Sequence, residues 1–212
     1  MGKLPVFLNY NSEDKKKDSG YETIQDFFLS WTIRCAEEKY DTENPIVHNY
    51  AKKILAKLIF ENSQHQPGFL VDGDFINKIN FTKIKTQRQH SRIDLVVEIE
   101  YTYEAEHKAV LLSIENKWYT QTSVDQLSRY SNTIEKDFSS RFSHIEKVLI
   151  FLDESLISSY QKEIASQYFY KIFHIGELFD KSKEAITGNE LFDSYWFTDY
   201  GISERPQPLV SS

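Results

Sequence analysis

Glu115 and Lys117 stand two residues apart in the apolar run that begins at Ala109, so in a strand they share one face while Asn116 points to the other. Asp94 belongs with them. An antiparallel register whose turn is centred between Glu104 and Ala105 pairs Thr102 with His107 and, continued, Asp94 with Glu115. Opposed side chains in such a pair lie about 5 Å apart at Cβ. Two carboxylates that close repel each other unless a cation or a proton sits between them. Oxygen ligands suit a hard divalent cation, and Mg²⁺, with Mn²⁺ as a substitute, is held by one or two carboxylates together with water and substrate phosphate. Lys117 beside them would orient and help deprotonate a water, or stabilise charge developing on a phosphate. The plainer alternative is a salt bridge between Lys117 and either carboxylate, which would account for all three residues without chemistry.

The elements that must position these side chains follow from periodicity. Ile24, Phe27, Phe28, Trp31 and Cys35 recur at helical spacing and predict an amphipathic helix from about Ser19 with that face inward. Asn44-Pro45 opens a second helix carrying Ile46, Tyr50, Ile54, Leu55, Leu58 and Ile59, which His65-Gln66-Pro67-Gly68 ends. Residues 79 to 88, 92 to 101 and 108 to 117 read as strands. In the second, Ile93, Leu95, Val97 and Ile99 alternate with Asp94, Val96, Glu98 and Glu100. A helix from Ser123 to about Asp137 follows. Residues 147 to 152 predict a central strand, then a helix around 155 to 167 and a strand from Tyr168 to Ile175. Ser123-x-x-Gln126 opens its helix as a capping box would, leaving Gln126 either returned to the backbone or free for the site.

Arg92-Ile93-Asp94, Ile114-Glu115-Asn116-Lys117 and Asp125-Gln126-Leu127-Ser128-Arg129-Tyr130 together resemble the PD-(D/E)XK nuclease superfamily, closest to its bacterial branch with the IENK…QLxxY pattern. The helix Glu22 to Trp31 resembles that branch's opening helix, so the likeness spans roughly residues 20 to 153. The resemblance implies an α/β fold, a mixed central sheet flanked by helices with a restriction-endonuclease-like core. It implies metal-dependent hydrolysis of a phosphodiester, in DNA by family analogy. Asp94 and Glu115 would be metal ligands, with the backbone carbonyl of Asn116 as a third, and Lys117 the catalytic lysine. Gln126 and Tyr130 correspond to an accessory motif near the substrate, and Glu22 to an acidic residue brought close by the first helix. Ile93 stands in place of the proline of the family's name. Gln87 and Gln89 occupy the preceding strand where an acidic residue is common, which points to one metal rather than two.

Composition bounds the rest. With 212 residues the chain is expected to form one domain: helices over about 19–63, a catalytic core over about 68–153, a strand and helices over about 155–200 and a tail from 201. The single cysteine, Cys35, excludes an internal disulfide and a cysteine-rich zinc site. No apolar run approaches the roughly 18 residues needed to span a bilayer, and the start lacks a secretory pattern, so a cytoplasmic protein is expected. A net charge of -7 weakens nonspecific attraction to nucleic acid. Its distribution differs: no acidic residue lies between Phe75 and Ile93, where Lys83, Lys85, Arg88 and Arg92 form a basic stripe, read either as nucleic-acid binding or as a protected strand edge. The region after Gly176 is acidic. Two other readings stay open: an inactive nucleic-acid-binding module of the same fold, and an interaction protein of a defence or mobile-element locus docking through that acidic region. Cutting both strands of a duplex would need two sites, hence a homodimer or a partner protein.

Overall fold

The computed structural model describes residues 20–63, 71–118, 120–179 and 187–199, and within them every side chain except those at 20–23, 198 and 199. Three helices come first, α1 (Gly20–Cys35), α2 (Pro45–Phe60) and α3 (Gly73–Lys78). Three strands follow, β1 (Ile79–His90), β2 (Ile93–Tyr103) and β3 (Glu106–Lys117). Then come α4 (Val124–Phe138), β4 (Ile145–Phe151), α5 (Ser159–Gln167), β5 (Tyr170–His174) and a short α6 (Glu190–Asp193) that runs into a π-helical turn, Ser194–Asp199. The sheet order is β1-β2-β3-β4-β5, antiparallel from β1 to β3 and parallel from β3 to β5. This is the mixed sheet that the family resemblance implies.

The β2–β3 register is also the expected one, with Thr102 opposite His107 and Leu95 opposite Ile114. Its two-residue loop holds Glu104 at φ 50° and Ala105 at φ 66°. The β1–β2 loop likewise holds Ser91 at φ 50° and Arg92 at φ 75°. Positive φ at both central residues is what a type I′ turn requires, and here non-glycine residues accept it because the long strands on either side fix the ends. β3 is buried from Val110 to Lys117 without alternation, since it lies mid-sheet with helices on both faces.

On one face α1 and α2 pack Leu29, Ile33, Ile54 and Leu58 against Leu95, Val97, Leu112 and Ile114. On the other, α4 packs Tyr130, Ile134 and Phe138 against Val96 and Leu111, while Leu127 joins α5 through Ile164 over Leu149 and Phe151. Leu127 is fully buried. Such burial is worth about 1.5–3 kcal/mol and fixes α4 against the sheet. Two of the packed helices are also capped: Asn44 accepts from Val47 N with Pro45 at the first turn of α2, and Ser123 accepts from Gln126 N at α4.

The inward face of α1 differs from expectation. Leu29, Ile33, Gln25, Asp26 and Thr32 are almost wholly buried, while Phe27 is 57% exposed and Cys35 only half-buried. Polar residues take the inner face because partners await them there, and hydrogen-bonded polar groups can be buried. Burial pushes the Cys35 thiol up to about 11, which leaves it unreactive at neutral pH. Ile46 in α2 is exposed as well. The π-helical turn closes over α1: Tyr195 stacks on Phe28 at 4.3 Å between ring centroids, and Trp196 Nε1 donates to Thr32 Oγ1 at 2.9 Å. The predicted helix start at Ser19, the stop at 65–68 and the tail from 201 lie outside the described residues.

Near the start of β4, away from the Glu115 end, Glu146 is buried among partners. It accepts from His144 Nε2 at 2.8 Å, from Lys171 Nζ at 2.8 Å and from the Ser63 hydroxyl. Burial opposes its ionisation, but His144, the Lys171 ammonium and Ser63 together outweigh burial and hold the carboxyl below its ordinary range.

Candidate active site

Asp94, Glu115 and Lys117 project from the α4 face of β2 and β3, where those strands separate. The last ladder pair is Leu95 with Ile114, and one step further Asp94 faces Glu115. Here the ladder gives way to a side-chain contact, because Asn116 N donates to Asp94 Oδ2 at 2.9 Å. Gln89 Nε2 reaches Asp94 Oδ1 at 3.4 Å. In an extended strand the carbonyl of a residue leaves on the same side as its N–H, so the Asn116 carbonyl faces the same opening as Asp94.

Glu115 is 3% exposed. Its Oε1 receives Lys117 Nζ at 2.7 Å and Gln126 Nε2 at 2.6 Å. Its Oε2 is buried with no hydrogen-bond partner. Burial, then the neighbouring Asp94 charge, push the Glu115 carboxyl up to about 8, against the pull of Lys117. Burial also raises Asp94, opposed mainly by the Asn116 N–H and the Lys117 charge. Both carboxyls are therefore pushed toward the protonated form, because the Lys117 ammonium offsets their burial and mutual repulsion only in part.

Gln126 settles its alternatives by geometry. Its backbone N–H is capped by Ser123 Oγ at 3.2 Å, but its side chain turns to the site rather than back to the helix start. Gln126 Oε1 receives Lys117 Nζ at 3.3 Å and Thr122 Oγ1 at 3.1 Å, and Nε2 also lies 3.2 Å from the Tyr130 hydroxyl. Tyr130 is thus both packed under α4 and joined to the site. Glu22 lies in α1, but its side chain is outside the described residues. The other α1 residues near the site were not expected: Asn116 Nδ2 donates to Asp26 Oδ1 at 2.5 Å, and Gln25 Nε2 donates to Asn116 Oδ1 at 3.2 Å. The row Gln25, Leu29, Ile33 at four-residue spacing is the signal that would have found them.

The basic stripe runs along the edge strand β1, and half of it is neutralised from β2. Lys83 pairs with Glu100 at 2.8 Å and Lys85 with Glu98 at 3.7 Å. Arg88 instead lies under the Phe27 ring, and Arg92 is exposed at the β1–β2 turn. Among the described residues, no group of three or more histidine, cysteine or acidic side chains could hold a metal ion, and no helix is long and apolar enough to cross a membrane.

A three-layer domain with a mixed five-stranded sheet, and a D…ExK constellation where its middle strands part, defines a restriction-endonuclease-like class. A model of the PD-(D/E)XK nuclease superfamily matches residues 7–200, and the chain belongs to that superfamily. Comparison with curated proteins and with solved structures gives no match. Members of the superfamily are nucleases, which makes nucleic acid the substrate class and divalent metal the usual requirement.

Proposed function

We propose that the chain hydrolyses phosphodiester bonds, in DNA, with Mg²⁺ held by Asp94, Glu115 and the Asn116 carbonyl. The observation that carries this reading is the buried, unpartnered Glu115 Oε2 opposite Asp94. A carboxyl oxygen buried beside a second carboxyl is relieved by a proton shared between the two or by a cation that takes both. The donors available are all oxygens, two carboxylates and a backbone carbonyl, and that set suits Mg²⁺ or Mn²⁺ completed by water and phosphate. When bound, the ion supplies Lewis-acid polarisation of the scissile phosphate. Lys117, fixed between Glu115 Oε1 and Gln126 Oε1, is placed to orient the attacking water and to stabilise negative charge on the phosphate. Gln126 and Tyr130 hold that lysine and Glu115 in place, and Gln25 and Asp26 hold Asn116 from the opposite layer.

The test is incubation of the purified chain with supercoiled, linear and single-stranded DNA and with RNA, under Mg²⁺, Mn²⁺ and EDTA. Cleavage that needs the metal and is lost in Asp94→Asn supports the reading. Nucleic-acid binding with no cleavage under any metal would instead assign an inactive binding module.

A further inference from the structure

The candidate site uses the α4 face of β2 and β3, and leaves unexplained an aromatic beside it on the α1 face. Phe27 is 57% exposed. Its inner face covers the Arg88 guanidinium, whose central carbon lies 3.5 Å from the ring centroid. Lys83 and Lys85 on the same strand each have a glutamate partner, whereas the Arg88 side chain makes no ion pair or hydrogen bond among the described residues. Arg88 Nε is buried and unpartnered, so its terminal nitrogens are what remain for an incoming acceptor. The chain neighbours of both residues touch the site, and Arg88 pairs across the ladder with Leu95, next to Asp94. Phe27 follows Asp26, which holds Asn116, and Arg88 precedes Gln89, which reaches Asp94.

We propose that Phe27 and Arg88 form a nucleotide-binding platform beside the candidate active site, Phe27 stacking on an unpaired base and Arg88 binding an adjacent phosphate. The outer ring face offers an area that any base can cover, and a guanidinium is suited to phosphate oxygens. Bases within a duplex have their faces covered by their neighbours, so the occupant is a single-stranded or extruded nucleotide. The platform rests on the nuclease reading of the site and adds to it the strand state of the substrate.

The test measures binding of a labelled single-stranded oligonucleotide, and of the blunt duplex of the same sequence, by fluorescence anisotropy with the full chain in EDTA. Phe27→Ala is expected to weaken single-strand binding by about 5- to 150-fold and to leave duplex binding unchanged. Phe27→Trp should retain single-strand binding. One abasic nucleotide moved along the strand should abolish the difference between parent and Phe27→Ala at one position. Equal losses on strand and duplex, or no loss in Phe27→Ala, would overturn the platform, as would a fallen melting temperature accompanying equal losses. Parallel cleavage assays in Mg²⁺ separate the two readings. A parent that cleaves while Phe27→Ala binds normally overturns the platform alone. Phe27-dependent strand binding by a parent that cleaves nothing supports the platform and overturns the hydrolytic reading.

Discussion

Gln126 Nε2 donates to Glu115 Oε1 at 2.6 Å, the same oxygen that receives Lys117 Nζ at 2.7 Å. Helix α4 therefore reaches into the candidate site instead of merely covering it. Gln126→Leu should lower cleavage by about 10- to 100-fold, the usual effect of losing a group that orients a ligand or catalytic side chain. The Ser123 cap uses the backbone of residue 126, so α4 should survive, as circular dichroism would show. Parental single-turnover rates in this variant would reduce the contact to packing.

Asp94→Asn, Glu115→Gln and Lys117→Ala should each remove most cleavage. Combined, they should cost little more than one alone, since residues acting as a unit fail together. Metal-dependent cleavage of plasmid and oligonucleotides by the three single variants and the triple one measures this, and full activity in Asp94→Asn would remove it from the site.

Stability gives a test that needs no substrate. Without metal, Asp94→Asn should melt at or above the parent's temperature, because it relieves the repulsion with Glu115. Mg²⁺ should reverse the order. An ion binding only the folded parent adds about 2.7 kcal/mol at a hundredfold excess over its dissociation constant. Scanning fluorimetry reads both shifts, and an unchanged parent with Mg²⁺, together with a lower-melting variant, would make Asp94 a structural residue.

Lys83 and Lys85 carry charges already matched by Glu100 and Glu98. Replacing both with Gln should leave the salt dependence of single-stranded DNA binding nearly unchanged, whereas Arg88→Gln should lower its logarithmic slope by about 0.7 for one lost phosphate contact. Binding isotherms over a range of salt concentrations compare them. The reverse ranking would restore the lysines as the contact.

At the other end of β4, acid should find the Glu146 cluster. Its folded pKa lies below the ordinary value of 4.5, so its contribution is present above that pH and is lost as pH falls through the lowered folded value. Glu146→Gln should remove that acid-dependent loss and cost about 3–5 kcal/mol near neutrality, because Lys171 is left buried without its counter-charge. Urea unfolding from pH 3 to 7 measures both parts of this. An acid slope identical to the parent's would place the ionisation elsewhere.

How far the sequence could be read depended on whether partners were local. Asp94 and Glu115 could be set opposite each other because alternation in β2 and a two-residue turn leave one register. The face of α1 could not be read that way. Gln25 and Asp26 look solvent-facing until Asn116, far along the chain, supplies their hydrogen bonds. The stripe on β1 looked uncompensated for the same reason, since Glu98 and Glu100 belong to the next strand. Gln126 was visible both as a cap and as a site residue, and only its side-chain direction separates them.

The closure of Tyr195 and Trp196 over Phe28 and Thr32 ties the layer beneath Asn116 to residues translated long after α1. On a ribosome, a chain would expose Asp94, Glu115 and Lys117 before the clasp on Phe28 and Thr32, in the helix that carries Gln25 and Asp26, existed. Cutting power would then arrive late in synthesis rather than with the catalytic strands. Stalled nascent chains halted before Tyr195 should be inert toward nucleic acid, and ones released beyond Trp196 active; early activity would show that the clasp is dispensable.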